Sequence, residues 1–375
     1  MSPRVSTCEP GVPHAGRVGR SDASREAPSG SWPGGPARVP DMPARATLSD
    51  VAAAAGVSSQ TVSRVLHDHP SVRPETRSRV RAAIEALGYQ PNLAARVLAS
   101  GSSGAVGILL TAGLSHGMSV AFSALARAVR EQGSNVVLAT ADGSDPASVR
   151  RALAHLHGYH VDRIVVLAQR TDVLTVLALE HNEKPVVAVI SGTHSFTGFS
   201  TLSIDQALGA RLATEHLIDL GRRRLVHVSG DLSWQDASER LFAYQSTCAD
   251  HDLPARWIGT EDWSSASGAA VAERLLATGL PDGIFAANDD IALGICRVLL
   301  AAGVRVPDDV AVVGFDDIPQ AAWMTPSLST VAQDFDTLGR TALSMSAELA
   351  SGRDPRALAL EPALIVREST GGASV

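Results

Sequence analysis

The feature that most constrains this chain is a regular alternation of short apolar runs with longer amphipathic stretches after residue 104. Short apolar runs bounded by turn-forming residues predict buried strands, and they fall at 106–110, 136–140, 164–167, 186–190, 225–228, 283–286 and 310–315. Stretches with helical periodicity fall between and after them, at 120–132, 208–220, 266–277, 291–301 and 338–349. Such alternation over about 260 residues predicts an α/β core of doubly wound parallel sheets, and the length suits two lobes better than one sheet.

Residues 47–91 carry a different pattern, in which three short helices follow one another closely. Thr47, with an aspartate three residues later, has the spacing of a capping box at the start of the first helix, and Gly56 ends that helix. Ser58 is of the residue type that N-caps a second helix, and Pro74 suits the first turn of a third. Two short helices joined by a glycine-containing turn, with a supporting helix, predict an all-α helix-turn-helix domain.

Apolar positions in this region predict how the three helices pack. Val62 and Leu66 lie four residues apart on the second helix, and Val80, Ile84 and Leu87 form one stripe on the third. We expect these side chains to meet in a small core.

The second helix carries short polar side chains and one arginine on its outer face. Hydroxyl and amide groups bond to phosphates and base edges, and an arginine can hold guanine O6 and N7 together. The residues are Ser58, Ser59, Gln60, Thr61, Ser63 and Arg64. Taken alone, they fit a solvated helical hairpin as well as a DNA-binding helix.

Charge divides the chain into a slightly basic N-terminal part and an acidic remainder. Six arginines and four acidic residues occur in 1–46 and again in 47–100, whereas 101–375 holds 20 basic and 31 acidic residues. The stretch 1–46 is dominated by Gly, Pro, Ser, Ala and Arg and has little apolar periodicity, so we expect a disordered tail there. Since the formal net charge of the chain is −7, any nucleic-acid surface is expected in its N-terminal part.

Cysteine usage and the length of apolar runs indicate the compartment. Cys8, Cys248 and Cys296 are too few and too widely spaced for a disulfide framework or a four-ligand zinc site. No apolar run approaches the ~20 residues of a membrane span, and the first residues lack the apolar core of a signal peptide. We therefore expect a cytoplasmic protein with no membrane partner.

The segment 46–66, continued by 73–77 and 87–92, resembles the DNA-binding head of the LacI/GalR family of bacterial repressors, and the resemblance covers about residues 46–370. It implies that the helix beginning at Ser58 enters the major groove, with Ser59, Gln60 and Arg64 at base-reading positions. The expected DNA contacts in the head are Thr47, Leu48, Ser58, Ser59, Gln60, Thr61, Ser63 and Arg64.

The segment 92–100 matches the hinge of the same family. The resemblance implies a helix that forms on DNA against its dimer mate, with Leu98 wedged into the minor groove and Asn92 and Ala95 beside it. An apolar wedge of this kind unstacks a base step and bends the duplex. Without the resemblance, Leu98 reads as an ordinary linker leucine.

Segments 262–264, 285–294, 312–319 and 325–335 resemble the regulatory core of the family. Asn288 and Asp316 each follow a predicted strand, at the strand end where α/β sheets bind ligands. An arginine, an amide and a carboxylate suit the hydroxyl rim of a sugar, and aromatic rings suit its C–H faces. The resemblance places the effector contacts at Thr111, Ser191, Arg240, Trp263, Asn288, Asp316 and Phe335.

The residue at one position of the predicted pocket differs from the family pattern. Ile190 stands where a family strand often ends in aspartate and offers no hydrogen bond, although Ser191 follows it.

There is no Walker loop, dinucleotide glycine fingerprint or nucleophile elbow, so we expect no enzyme and no cofactor. His155, His157 and His160 do not have the spacing that brings three ligands onto one ion, so we expect no metal site.

These patterns together predict a regulator with four parts. They are a tail at 1–46, a helix-turn-helix domain at 47–91, a hinge and linker at 92–103, and a two-lobed, periplasmic-binding-protein-like core at 104–375. Only seven residues follow Glu368, too few for a tetramer-forming helix, so we expect a homodimer on near-palindromic operator DNA. The expected effector is a small carbohydrate; a purine, nucleoside or sugar phosphate, including one that acts as corepressor, is the alternative. A plain solute-binding protein and a sugar- or nucleoside-cleaving enzyme are the rival classes.

Overall fold

The computed structural model describes residues 46–66, 69–89, 102–111, 113, 116–168, 170–180, 184–192 and 194–372. The chain divides into two compact units, Met1–Gln90 and Pro91–Val375. The expected tail at 1–46 lies outside the described residues except for its last position, and the hinge positions Asn92, Ala95 and Leu98 lie outside them entirely.

The first unit contains three helices, α1 (Leu48–Ala55), α2 (Ser59–Leu66) and α3 (Pro74–Ala86). The capping box at Thr47 is present, and Gly56 closes α1 in the left-handed conformation at φ 61°. The buried side chains of its core are Val51, Ala52, Ala55, Val62, Val65, Val80 and Ala83. The prediction that Leu87 belongs to this core is wrong: the residue caps the end of α3 and is 40% exposed, while Ala83 takes the buried position.

The second unit contains twelve strands and eight longer helices within the described residues. In chain order they are β1 (Ala105–Leu110), α4 (His116–Glu131), β2 (Asn135–Thr140), α5 (Pro146–Gly158), β3 (Arg163–Leu167), α6 (Thr171–Leu179), β4 (Val186–Val189), β5 (Ser200–Ile204), α7 (Gln206–Asp219), β6 (Leu225–Ser229), α8 (Gln235–Asp250), β7 (Arg256–Gly259), α9 (Ser265–Thr278), β8 (Gly283–Ala286), α10 (Asp289–Ala301), β9 (Ala311–Asp316), β10 (Ser329–Ala332), α11 (Phe335–Ala350), β11 (Ala357–Leu360) and β12 (Ala363–Ile365). The predicted strands and helices are all present, with ends shifted by a few residues.

The strands form two six-stranded sheets, each the centre of one lobe. The first sheet has the order β11-β5-β4-β3-β1-β2 and is parallel throughout. The second has the order β12-β10-β9-β8-β6-β7 and is parallel except for the edge strand β12. The prediction of doubly wound parallel sheets is confirmed.

The chain passes between the lobes three times, after β5, after β10 and after β11. We call the part built on the first sheet, with α4, α5, α6 and α11, the first lobe, and the part built on the second sheet the second lobe. Apolar clusters fill both faces of each sheet, as a parallel sheet requires. Among the described residues, no helix is long and apolar enough to cross a membrane.

Candidate effector pocket and DNA-binding helix

A pocket lies between the two lobes, where strands of both sheets end. Strand ends β4 and β5 from the first lobe and β9 and β10 from the second contribute to it, together with the first turns of α4, α7, α8 and α11. The empty space between its lining atoms, together with the open solvent at its mouth, is about 710 Å³.

Arg240 is the polar centre of this pocket and is only 3% exposed. Its Nε donates to Gln206 Oε1 at 2.9 Å, and one terminal nitrogen donates to the carbonyl oxygen of Ala287. The guanidinium lies 3.7 Å from the ring centroid of Phe315, while its second terminal nitrogen is 3.9 Å from Asp316 Oδ1. A buried guanidinium with these partners is held in one orientation by hydrogen bonds and ring stacking.

Two glutamines link Arg240 to Asp316 through the crossing segments. Gln206 Nε2 donates to Gln333 Oε1 at 3.0 Å, and Gln333 Nε2 donates to Asp316 Oδ1 at 2.6 Å. Gln206 follows the crossing after β5, and Gln333 lies in the crossing after β10. This chain of three hydrogen bonds, whose ends Arg240 and Asp316 lie 3.9 Å apart, therefore joins the pocket to two of the three lobe connections.

The carboxyl groups of Asp236 and Asp316 line the pocket. Burial raises the pKa of Asp236, which lines the pocket near Arg240, although the guanidinium opposes the rise. Burial also raises the pKa of Asp289 well above its usual range, helped by the charge of Asp316. Asp289 does not line the pocket, since its oxygens accept from Ile318 N at 2.9 Å and Thr330 Oγ1 at 2.6 Å.

Asn288 and Trp263 are hydrogen-bonded to each other on the second-lobe side of the pocket. Asn288 Oδ1 caps α10 by accepting from Ile291 N at 2.8 Å, and its Nδ2 donates to Trp263 O at 3.1 Å. An amide has two donor hydrogens and two acceptor lone pairs, so one of each remains for a ligand. A Cβ added at Gly230 would lie 2.5 Å from the Trp263 ring, so this glycine makes room for the indole.

The structure brings six of the seven predicted effector residues to the pocket lining: Ser191, Arg240, Trp263, Asn288, Asp316 and Phe335. Thr111 is not among them. Its side chain is 2% exposed and its hydroxyl donates to Leu167 O at 2.9 Å, so it ties the end of β1 to β3 instead.

Sequence reasoning did not single out several lining residues. They are Gly117, Met118, Ala121, Ala168, Val189, Ile204, Gln206, Trp234, Asp236, Gln333 and Leu338. Gln206 and Gln333 could have been found from their place beside strand ends, because polar groups there face the ligand crevice of α/β sheets. Within the described part of the chain, no three His, Cys, Asp or Glu side chains are grouped to hold a metal ion.

The outer face of α2 presents its polar residues to solvent. Arg64, Gln60 and Ser58 are exposed, and Ser59, Thr61 and Ser63 are half-buried. Ser58 Oγ accepts from Thr61 N at 3.2 Å, so this serine caps the start of α2. Thr47 is exposed at the start of α1, and Leu48 packs partly against the core of the head.

Known proteins resemble both units. Residues 47–92 match the family described as bacterial regulatory proteins of the lacI family, and residues 214–370 match the periplasmic binding protein-like domain. The HTH-type transcriptional regulator CelR of Thermobifida fusca is 35% identical over 346 residues, covering 87% of this chain and 98% of CelR.

Solved structures agree with these matches. The lac repressor dimer bound to operator and the anti-inducer ONPF has a TM-score of 0.75 at 29% identity, covering 87% of this chain and 99% of that one. A complex of transcriptional regulator CelR with cellobiose has a TM-score of 0.61 at 32% identity, covering 87% of this chain and all of that one (100%). The chain belongs to the lacI family of bacterial regulatory proteins and is a DNA-binding transcriptional regulator.

Proposed function

We propose that this regulator is a homodimeric repressor of a near-palindromic operator and that a small sugar in the interlobe pocket releases it from DNA. The observation that carries the proposal is the convergence of Arg240, Asp316 and Asn288 with the rings of Trp263 and Phe335 on one pocket. Polar groups of this kind bond to hydroxyls, and aromatic rings pack on the C–H faces of a sugar. Solved structures of relatives support a sugar-responsive repressor: the lac repressor dimer was solved bound to its operator, and CelR was solved in complex with cellobiose.

The division of labour follows the expected domains. Residues 47–91 read the operator through α2, residues 92–103 form the hinge with Asn92, Ala95 and Leu98 on the DNA, and residues 104–375 hold the effector. Two copies would place their recognition helices in major grooves ~34–36 Å apart, or a multiple of that distance.

The charge of the lining favours a neutral sugar over a sugar phosphate. Arg240 is the one basic side chain among the described lining residues, and it already contacts Gln206, Ala287 and Asp316. Asp236 lies on the same lining. A phosphate would therefore meet carboxyl groups and a single guanidinium that already has partners.

Release of the operator needs a coupling free energy between the two sites. Couplings of ~1–3 kcal/mol change affinity by 5- to 150-fold. Gln206 follows one crossing between the lobes, Gln333 lies in another, and both bond to pocket side chains. An effector that repositions Arg240 or Asp316 therefore also biases the lobe arrangement. The protein acts on DNA in the cytoplasm and turns over no substrate.

The test is a ligand screen on the purified full chain, read first by thermal shift and then by operator release in a gel-shift assay. We expect at least one neutral mono- or disaccharide to raise the unfolding temperature and to release a selected operator. Purines, nucleosides and sugar phosphates are screened in parallel, because they are the alternative effectors. A response to one of these alone would contradict the sugar assignment, and turnover of any bound ligand would contradict the assignment as a regulator without catalysis.

A further inference from the structure

One carboxylate holds the chain where it enters the first lobe, just before β1. Ser102 Oγ donates to Asp162 Oδ2 at 2.7 Å, Ser103 N donates to Oδ1 at 3.1 Å, and Gly104 N donates to Oδ2 at 2.8 Å. Hydrogen bonds to a carboxylate are stronger than hydrogen bonds between neutral groups. Three consecutive residues ahead of the strand are therefore fixed by a single side chain.

The contacts around Asp162 give this attachment one geometry. Asp162 directly precedes β3, and its backbone N donates to Ala105 O at 2.9 Å beside the pairing of β1 with β3. Ser103 is 6% exposed, and its hydroxyl accepts from Ala105 N at 3.0 Å. Gly104 has φ 67°, a left-handed conformation that glycine adopts without strain. The first lobe therefore sets the direction from which the chain enters β1.

The second lobe contains the same arrangement at its corresponding strands. Asp282 directly precedes β8, and its Oδ1 accepts from Arg223 N at 3.1 Å and from Arg224 N at 2.8 Å, the two residues ahead of β6. β6 and β8 are parallel neighbours in the second sheet, as β1 and β3 are in the first. Asp162 and Asp282 are both half-buried. The two aspartates therefore do the same local work, which is to hold the chain at the start of a central strand.

The two aspartates differ in what precedes the residues that they hold. Asp282 holds the short connection between α7 and β6, both of which belong to the second lobe. Asp162 holds the end of the proposed hinge and linker at 92–103, of which Ser102 and Ser103 are the last two residues. Conformational freedom at this point is freedom that the linker must lose when DNA orders the hinge.

Resting on the proposed hinge, we propose that Asp162 is a positioning residue for operator binding. Its carboxylate fixes the end of the linker to the first lobe and so presents the hinge to the operator in one orientation. Without this carboxylate, the end of the linker samples more conformations in the free protein, and ordering the backbone of one residue lowers an equilibrium constant by about 5- to 30-fold. Random-sequence DNA is bound mainly through charge, which needs no fixed orientation of the hinge.

Gel-shift titrations of the full chain test this role. The operator is a duplex that the wild type selects from a random pool, and an unselected duplex is the comparison. Asp162→Asn replaces one acceptor oxygen with a donor group, so affinity for the selected duplex should fall by about 5- to 30-fold, with little change on the unselected duplex. Asp282→Asn is the matched control with the same change of charge. It should lower the unfolding temperature as Asp162→Asn does and leave operator affinity unchanged.

Three results would overturn the proposal. They are wild-type operator affinity in a folded Asp162→Asn protein, an equal loss on both duplexes, and an equal loss of operator affinity in Asp282→Asn. If Asp162→Asn does not fold, Ser102→Ala decides, because Ser102 is exposed and its hydroxyl is one of the three donors to the carboxylate. A smaller loss on the selected duplex alone supports the proposal, and unchanged affinity there contradicts it.

Leu98→Ala separates this role from the hinge on which it rests. Leu98 lies in the hinge, outside the described residues. A loss of operator affinity in Leu98→Ala without one in Asp162→Asn removes the role of Asp162 and leaves the hinge standing. No loss in either variant removes both.

Discussion

Arg240 Nε donates a hydrogen bond to Gln206 Oε1 at 2.9 Å, which ties the polar centre of the pocket to the residue that follows the first crossing between the lobes. Gln206 is itself 4% exposed and passes the contact on to Gln333 in the second crossing. A buried hydrogen-bonded network of this kind has few alternative arrangements. Because its members lie beside two of the crossings, a change in the angle between the lobes would break or rearrange these hydrogen bonds.

Replacing Gln206 with methionine should weaken both effector binding and its coupling to operator release. The variant keeps the side-chain length but removes the acceptor of a charged, buried donor, so effector affinity should fall by about 10-fold or more. Calorimetric titration and effector-dependent gel shifts measure the two effects. Gln206→Glu is the informative companion, because it retains an acceptor for Arg240 and should recover part of the affinity. Equal affinities in the wild type and Gln206→Met would contradict the role of this network.

Arg240→Ala should bind the operator but no longer respond to the effector. The guanidinium supplies hydrogen-bond donors to the ligand, and each charge-assisted hydrogen bond to a ligand hydroxyl contributes ~1.5–3 kcal/mol to binding. Because Asp316 then loses a guanidinium 3.9 Å away, the unfolding temperature is measured first. A well-folded Arg240→Ala protein with wild-type effector affinity would show that the ligand binds elsewhere.

Arg64→Ala should weaken binding to the operator by ~1–3 kcal/mol and relax its preference for one base pair, because a bidentate contact to guanine is lost. Arg64 is exposed near the end of α2. Gel-shift titrations on operator and on random DNA measure the change, with the exposed Arg79 of α3 replaced by alanine as a control of equal charge. An equal loss on both DNAs would mean that Arg64 contacts phosphate rather than a base.

Seven strands could be predicted from their apolar runs, whereas β5, β7, β10, β11 and β12 were not predicted. β1 and β8 are runs of buried apolar residues. β5 has the sequence Ser-Thr-Leu-Ser-Ile and is equally buried, but it contains no apolar run from which a buried strand could be predicted. Its burial depends on distant partners, such as Arg356 N donating to Ser200 Oγ at 3.1 Å, and local periodicity carries no information about them.

The same distinction applies to the pocket. Arg240 and Trp263 were found because the surrounding segments resemble a known family. Gln333 was part of a matching segment and was still missed, because its role arises only when the crossing after β10 meets Gln206, 127 residues away in sequence. Thr111 was assigned to the pocket by resemblance alone, and its hydrogen bond to Leu167 depends on a strand pairing that the motif does not contain.

Glu239→Gln should stabilise the protein at alkaline pH. Burial raises the pKa of Glu239 from 4.5 to about 7, with Asp236 and Asp205 adding repulsion. The folded state then holds a proton that the unfolded state loses, so stability falls as pH rises from about 4.5 to 7. Glu239 is half-buried, and allowing for solvent screening the gain at pH 8 should be about 1 kcal/mol. Urea unfolding at pH 5 and pH 8 measures it, with the exposed Glu273→Gln as the control.

His227→Phe should remove part of the sensitivity of the fold to acid. His227 is fully buried, its Nδ1 lies 2.9 Å from Phe285 O, and its ring stacks on Phe285 at 4.5 Å. Its Nε2 has no hydrogen-bond partner among the described residues. Burial lowers the pKa of this imidazole from 6.5 to about 3. The unfolded chain therefore binds a proton that the folded protein excludes, and stability is lost as pH falls from about 6.5 to 3.

Phenylalanine keeps the stacking but loses the hydrogen bond to Phe285 O, so at pH 7.5 the His227→Phe variant should be ~1 kcal/mol less stable than the wild type. The difference should vanish near pH 6 and reverse below it, since the variant has no imidazole whose proton the folded state must exclude. Urea unfolding midpoints across this range measure the crossing, and His251→Gln, an exposed change at the end of α8, should follow the wild type throughout. Parallel pH profiles for the wild type and His227→Phe would mean that another buried group controls the acid transition.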